Sequence, residues 1–374
     1  MAAAAFLVAA DARLAAPLLP AIEQTFHSST GAAGFVVSGY LAAYALCQLA
    51  YGPFGDRIGP LTLIRGSLAL FAVGTTLCAL SPSLGGLVAL RVLTGMSAAA
   101  VIPMGLAHLG NSVALEHRTR VIGGFMAVLL GGQALGAALG GLLAELLSWR
   151  AIFVLIGVCA AASALALRRA PPAPSPRSTE RSGVLATLGL LRRDPVLFGS
   201  LAVEAFAVGG AFPFVGAALV AAYGLGYGAT GALLALYAVG GVVGARLRVD
   251  GVAPRLRWGG ALLAGGFAAL ALERGVALSA AGILGLGLGM TLAHATLQSA
   301  ATEVAPTRRA SALSLFSFVA NAIGALGSVA VGMTFDAFGA SAAFAGAATL
   351  LAGFAVLAPR LMTRGAARVD GRDN

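Results

Sequence analysis

"RRAPPAPSPRSTERSG" (residues 168–183) is the only long polar interruption in a chain of 374 residues. Its proline, serine and arginine content reads as a flexible linker. On either side lie apolar stretches of about 20 residues, the length a helix needs to cross a hydrocarbon core about 30 Å thick. They cover residues 2–22, 32–54, 61–80, 84–107, 121–145 and 150–168 before the interruption, and 196–221, 231–247, 258–272, 276–300, 311–333 and 340–359 after it. The count is six and six. The fold class is therefore an all-α integral membrane protein of twelve transmembrane helices in two six-helix bundles. The domains run over 1–168 and 196–374, the second ending in a short tail, with a linker over 169–195.

Composition points the same way. With 59% hydrophobic and 10% charged residues and a mean hydropathy of +0.92, the chain has too much apolar side chain for a soluble domain to hide. The segments are solidly apolar rather than alternating, which excludes an outer-membrane barrel. All 24 basic residues are arginine. All but four fall on one side: Arg150 and Arg274 lie opposite, and Arg13 and Arg91 lie inside spans. By the positive-inside rule both termini are cytoplasmic, and the chain belongs in the inner (cytoplasmic) membrane. This asymmetry accounts for the net charge of +10, so no nucleic-acid partner is inferred. The first residues lack a basic leader, and Asp11 and Arg13 interrupt their apolar run, so they read as a first span rather than a signal peptide.

Cys47, Cys78 and Cys159 are dispersed within spans and suggest neither disulfides nor a ligand set. His27, His108, His117 and His294 are scattered, so no metal is expected. Gly285, Gly287 and Gly289 belong to an apolar span rather than a phosphate-cradling turn, which disfavours ATP-driven chemistry and leaves no cofactor expected. At a fixed offset of 191 residues the halves match Arg118 with Arg309, Gly136 with Gly327, Gly141 with Gly332, Glu145 with Asp336 and Phe153 with Phe344. Because six is even, such a repeat is parallel and pseudo-symmetric about an axis along the membrane normal. A substrate would lie in a central cavity between the halves, near the midplane.

An ionisable side chain in the bilayer costs from about 3 to more than 10 kcal/mol, so each one is a functional candidate with a partner to be named. Asp11, about half-way along the first span, is expected to take up and release a coupling proton, with Arg91 setting its affinity. Desolvation favours the neutral acid and a nearby arginine favours the carboxylate. The competing reading is a static ion pair of Asp11 with Arg13 or Arg91. Glu204 stands at the repeat offset from Arg13 and reads as a second proton site or a negative wall. Otherwise it snorkels to the interface or pairs with Arg13. His294 and Gln298, one turn apart, suggest a polar patch in the substrate cavity or an interhelical hydrogen bond. Arg13, Gln133 and Asn321 invite the same choice. Gly132, Gly136 and Gly140 form a flat stripe for close helix approach, continued at Gly141.

With these residues in view the chain resembles the major facilitator superfamily, most closely its drug/proton antiporter branch. "YGPFGDRIGP" (residues 51–60) is similar to that family's loop between its second and third helices, carried by Gly52, Asp56, Arg57 and Gly59, with Pro60 and Leu61 where basic residues are usual. "DARLAAPLLP" (residues 11–20) resembles the Asp-containing motif of the first helix, and "RVLTGMSAAAVIP" (residues 91–103) the Arg-bearing motif of the fourth. "GGQALGAALGG" (residues 131–141) resembles the antiporter signature, with Ala137 in place of its proline, and "SWRAIF" (residues 148–153) the Trp-Arg-x-x-Phe that opens the sixth helix.

The resemblance implies a proton-coupled transporter, not an enzyme, that exports small, largely apolar molecules as a monomer by alternating access. Its partners are the substrate, protons and the lipid bilayer. Uptake by symport or facilitated diffusion is the nearest alternative, and a sensor without flux a more distant one. The 51–60 stretch then reads as a cytoplasmic turn in which Asp56 latches onto a helix N-terminus or onto Arg118, favouring the outward-open state.

Overall fold

The structure, a computed structural model, describes residues 1–112, 115–169, 184–305 and 309–370, with the backbone alone at 52, 53, 55–57, 110, 111, 115–120, 122, 123, 126, 127, 130, 134, 137–139, 309, 310 and 364–370. Hydrocarbon offers no water to backbone N–H and C=O groups, so a chain that crosses it must close its hydrogen bonds within each segment. Accordingly the described residues hold helices and no strand. In order these are α1 (Ala2–Phe26), α2 (Thr30–Ile58), α3 (Pro60–Cys78), α4 (Leu84–Ala98), α5 (Val101–Ser112), α6 (Leu115–Leu146), α7 (Trp149–Leu167), α8 (Val184–Leu188), α9 (Pro195–Ala211), α10 (Val215–Tyr223), α11 (Tyr227–Arg246), α12 (Val252–Ala271), α13 (Val276–Val304) and α14 (Arg309–Asp370). Each of the twelve expected stretches is largely covered by one or two of these helices. Among the described residues nine segments are long and apolar enough to cross a membrane. The last of them carries two expected spans, because Gly339 breaks α14 at φ 82°.

Three boundaries differ from the sequence reading, each for a local reason. The 84–107 stretch is interrupted at Ala99–Ala100, between α4 and α5. Pro103 has no N–H to give the Ala99 carbonyl, and its ring crowds that carbonyl. The 196–221 stretch passes through a 3₁₀ turn at Phe212–Phe214, where Pro213 cannot donate to Gly209. Finally, residues 55–58 are the last turn of α2 rather than a loop. The turn shrinks to Gly59, at φ 85°, followed by Pro60 in the first turn of α3, where its fixed φ suits a helix start. The expected linker includes helical turns over Val184–Leu188 and Gly189–Arg192.

The helices form two compact units, Met1–Val184 with Gly226–Gly231, and Leu185–Leu225 with Ala232–Asn374. In the first, Ser83 and Ser148 cap α4 and α7 by accepting from the amides of Gly86 and Ala151, both at 3.2 Å. The glycine stripe of α6 lies on α1 in parallel register. A Cβ at Gly132 would stand 2.6 Å from the Phe6 carbonyl oxygen, one at Gly136 would strike the Ala10 carbonyl, and one at Gly140 would stand 3.2 Å from the Leu14 carbonyl. Such contact needs no side chain on one partner, which is how helices approach closely in lipid.

In the second unit Asp194 caps α9 by accepting from the Leu197 amide at 2.9 Å. A Cβ at Gly327 of α14 would strike the Phe206 carbonyl of α9. Gly136 and Gly327, matched by the repeat, thus each set a helix against the first span of their own unit.

Gly136→Ala is expected to destabilise the protein by about 1–3 kcal/mol through overpacking. Gly124→Ala, whose Cβ meets open space, gains helix propensity and loses nothing. Thermal unfolding in detergent reads both: a lowered midpoint for the first and an unchanged or raised one for the second.

Candidate functional site

Asp11 of α1 and Arg91 of α4 are buried at 0% and 1% exposure. Arg91 Nη1 donates to Asp11 Oδ2 at 2.7 Å. The guanidinium also sends Nε to the Val36 carbonyl of α2 at 3.4 Å. Its centre lies 4.1 Å from the Tyr40 ring centroid and 5.7 Å from that of Phe153 in α7. Both rings present their π-faces to a desolvated cation, worth about 2 kcal/mol where water is excluded. Tyr40 in turn stacks on Tyr44, with ring centroids 6.1 Å apart. One arginine therefore ties four helices together.

The second carboxylate oxygen, Asp11 Oδ1, is buried, and among the described residues no donor reaches it. Of the two partners left open for Asp11, Arg91 is the one it meets. Arg13 turns instead to Gln133 of α6, with Nη2 3.5 Å from Oε1. Two expected cavity residues thereby touch each other.

The second unit repeats the arrangement with different chemistry. Glu204 of α9 is fully buried, so it does not snorkel to the interface. Its Oε2 lies 3.2 Å from Nδ1 of His294 in α13, and its Oε1 is reached by no donor among the described residues. The imidazole packs edge-on against Phe316, centroids 5.0 Å apart. His294 therefore faces Glu204 rather than forming a patch with Gln298, which is exposed. Asn321 is turned back on its own helix, donating to the Ser317 carbonyl at 2.8 Å.

Other motif residues are structural in their contacts. The indole of Trp149 donates to Thr25 at 2.9 Å. Arg150 donates to the Ser81 carbonyl at 2.9 Å while its guanidinium lies 4.4 Å over the Trp149 ring. The Trp-Arg-x-x-Phe element thus gathers the ends of α1, α3 and α7. Gly141 meets the backbone of Tyr227 and Gly231, at the opening of α11. The side chains of Asp56, Arg57 and Arg118, and the surroundings of Gly52, lie outside the described residues. Nearby, Tyr51 Oη donates to the Met96 carbonyl at 2.9 Å. Among the described residues no three histidine, cysteine or acidic side chains converge as metal ligands do.

Sequence reasoning missed two groups. Glu145, at the end of α6, accepts from the Gly228 amide at 2.6 Å and so caps α11. Its signal was the repeat match to Asp336. Tyr40 and Tyr44, four apart in "YLAAY", were visible as an aromatic face.

The family model of the Major Facilitator Superfamily matches residues 1–324 of the chain. The chain is 32% identical over 248 residues to an uncharacterized MFS-type transporter, YceJ, of Bacillus subtilis (strain 168), covering 64% of this chain and 62% of that one. It is 31% identical over 189 residues to the tetracenomycin C resistance and export protein of Streptomyces glaucescens, covering 50% and 35%. The chain thus spans less than two thirds of the length of these relatives. Among solved structures, a bacterial homolog of the human lysosomal transporter Spinster, inward-facing and occupied, superposes with a TM-score of 0.77 at 18% identity, covering 96% of this chain and 95% of that one.

Removing one member of a buried pair leaves an uncompensated charge and costs about 3–5 kcal/mol, whereas removing both is far milder. Asp11→Ala is therefore expected to unfold more easily in detergent than Asp11→Ala combined with Arg91→Ala. A double-mutant cycle on the thermal midpoints measures the coupling.

Proposed function

The chain belongs to the major facilitator superfamily, and on that footing we propose that it couples inward proton movement to the export of small, largely apolar molecules by alternating access. The carrying observation is the half-satisfied carboxylate of Asp11, one oxygen held by Arg91 and the other reached by no donor among the described residues. A proton arriving at Oδ1 neutralises the acid without having to displace Arg91. The electrostatic tie between α1 and α4 then weakens, and the guanidinium gains a charge-assisted donor for another acceptor.

Glu204 offers the same open oxygen beside a histidine, and His294, 25% exposed, gives that pair a route outward. Proton and substrate need not touch each other. Each biases the transport equilibrium only by its differential affinity for the two states, so a proton that strengthens one state and a substrate that strengthens the other are sufficient for exchange.

Export is favoured because a relative is itself named for resistance and export, and uptake by symport remains the alternative that Ala137 suggests. The chain would sit in the cytoplasmic membrane with both termini inside, as a monomer, with Arg13, Gln133, Gln298 and Asn321 available to the substrate.

Reconstitution into proteoliposomes with a pH-sensitive lumenal dye and a panel of apolar fluorescent compounds tests this. Wild type is expected to move compound uphill against an opposing proton flux, and co-directional flux identifies symport instead. Asp11→Asn is expected to abolish uphill transport while keeping downhill exchange. Glu204→Gln should lower the number of protons moved per compound. Undiminished proton-driven transport in Asp11→Asn excludes the assigned role.

A further inference from the structure

Two buried oxygen atoms of the first unit border the same cation and have no partner among the described residues. One is Asp11 Oδ1 and the other is the hydroxyl of Tyr40. Tyr40 is 1% exposed. Its ring centroid lies 4.1 Å from the centre of the Arg91 guanidinium, and its phenol is within electrostatic reach of Asp11 as well as of Arg91. Its place is fixed from α4 twice over, because a Cβ at Gly95, one turn beyond Arg91, would strike the Tyr40 carbonyl.

The ring alone accounts for the contact with Arg91 and for the stack on Tyr44. A phenylalanine would supply both without burying a hydroxyl, and a buried hydroxyl with no partner is destabilising. The hydroxyl is therefore unused in the state in which Arg91 holds Asp11 Oδ2 at 2.7 Å. Its service belongs to the other charge state of the acid. A protonated carboxyl, unlike a carboxylate, has an O–H to donate, and a proton settling on the buried Oδ1 needs an acceptor.

We propose that Tyr40 is a positioning residue of the proton site, whose hydroxyl accepts the hydrogen bond of Asp11 once Oδ1 is protonated. The inference rests on Asp11 being the proton carrier. The only bond made is the O–H at Oδ1. The other groups around Asp11 leave this task to Tyr40. From α4 comes Arg91, which has donors only. Cys78 of α3 is within electrostatic reach of Asp11, but a thiol is a weak acceptor. Helix α6 approaches at Gly136 with backbone, and Phe153 of α7 offers a ring. His108 of α5 lies toward the N-terminal amine of α1, and Arg13 is turned to Gln133.

Tyr40→Phe tests the assignment, since it keeps the ring over Arg91 and removes one oxygen. In proteoliposomes the pH midpoint of proton-driven transport is expected to fall by about half a unit to one unit, the worth of one hydrogen bond to the neutral acid. The thermal midpoint in detergent should stay or rise. In pH-difference infrared spectra, the carboxylic C=O stretch that Asp11→Asn removes is expected at higher frequency in Tyr40→Phe, because the acid has lost its acceptor.

An unshifted or raised pH midpoint overturns the proposal, and so does a C=O band of unchanged frequency. A lowered thermal midpoint with the pH profile unmoved assigns the hydroxyl to packing alone. Undiminished proton-driven transport in Asp11→Asn removes the proton site and this inference with it. Transport lost in Asp11→Asn but unshifted in Tyr40→Phe removes only the role of Tyr40. Should Tyr40→Phe lose transport altogether, the infrared band decides.

Discussion

An arginine that cannot reach water must find its counter-charge inside the protein, and the first unit is organised around one that does. Arg91 is 1% exposed, and leaving such a cation unpaired in hydrocarbon would cost from about 3 to more than 10 kcal/mol. Its carboxylate comes from α1, its second acceptor from α2 and its aromatic neighbours from α2 and α7. Each contact fixes where a helix must stand relative to α4. A pair of this kind adds little net stability over a well-packed apolar replacement. What it supplies is position.

The glycines carry the complementary task. Side-chain burial drives little association where the surrounding lipid is as apolar as leucine, so helices hold together by close contact. The α6 stripe brings that helix onto the backbone of α1 at Phe6, Ala10 and Leu14, bracketing Asp11. The proton candidate is thus held from one side by charge and from the other by backbone. That coupling gives a physical reason for the resemblance to place an acidic motif in one helix and a glycine motif in another within the same half.

Much of this was legible in the sequence, because length and apolarity alone identify membrane spans. The breaks at Ala99–Ala100 and Phe212–Phe214 were not, although Pro103 and Pro213 were in plain sight, since apolarity is blind to a missing N–H. The partner of Asp11 was readable in principle. Positions two apart on a helix point away from each other, so Arg13 could never face Asp11 on the same regular helix, and Arg91 remained. The partner of Glu204 was not readable. His294 and Gln298 do share a helix face, but a carboxylate from α9, ninety residues away, outcompetes the local amide. Only the packing of α9 and α13 decides that.

The two buried pairs differ in how far each acid's partner reaches. A guanidinium carries five donors and no acceptor, whereas an imidazole has only its two ring nitrogens. Arg91 therefore meets a carboxylate, a carbonyl and two aromatic rings at once, while among the described residues His294 faces one carboxylate and packs on one ring. The halves repeat each other in helices and glycines, yet one buried acid is tied into a hub of four helices and the other into a far smaller contact.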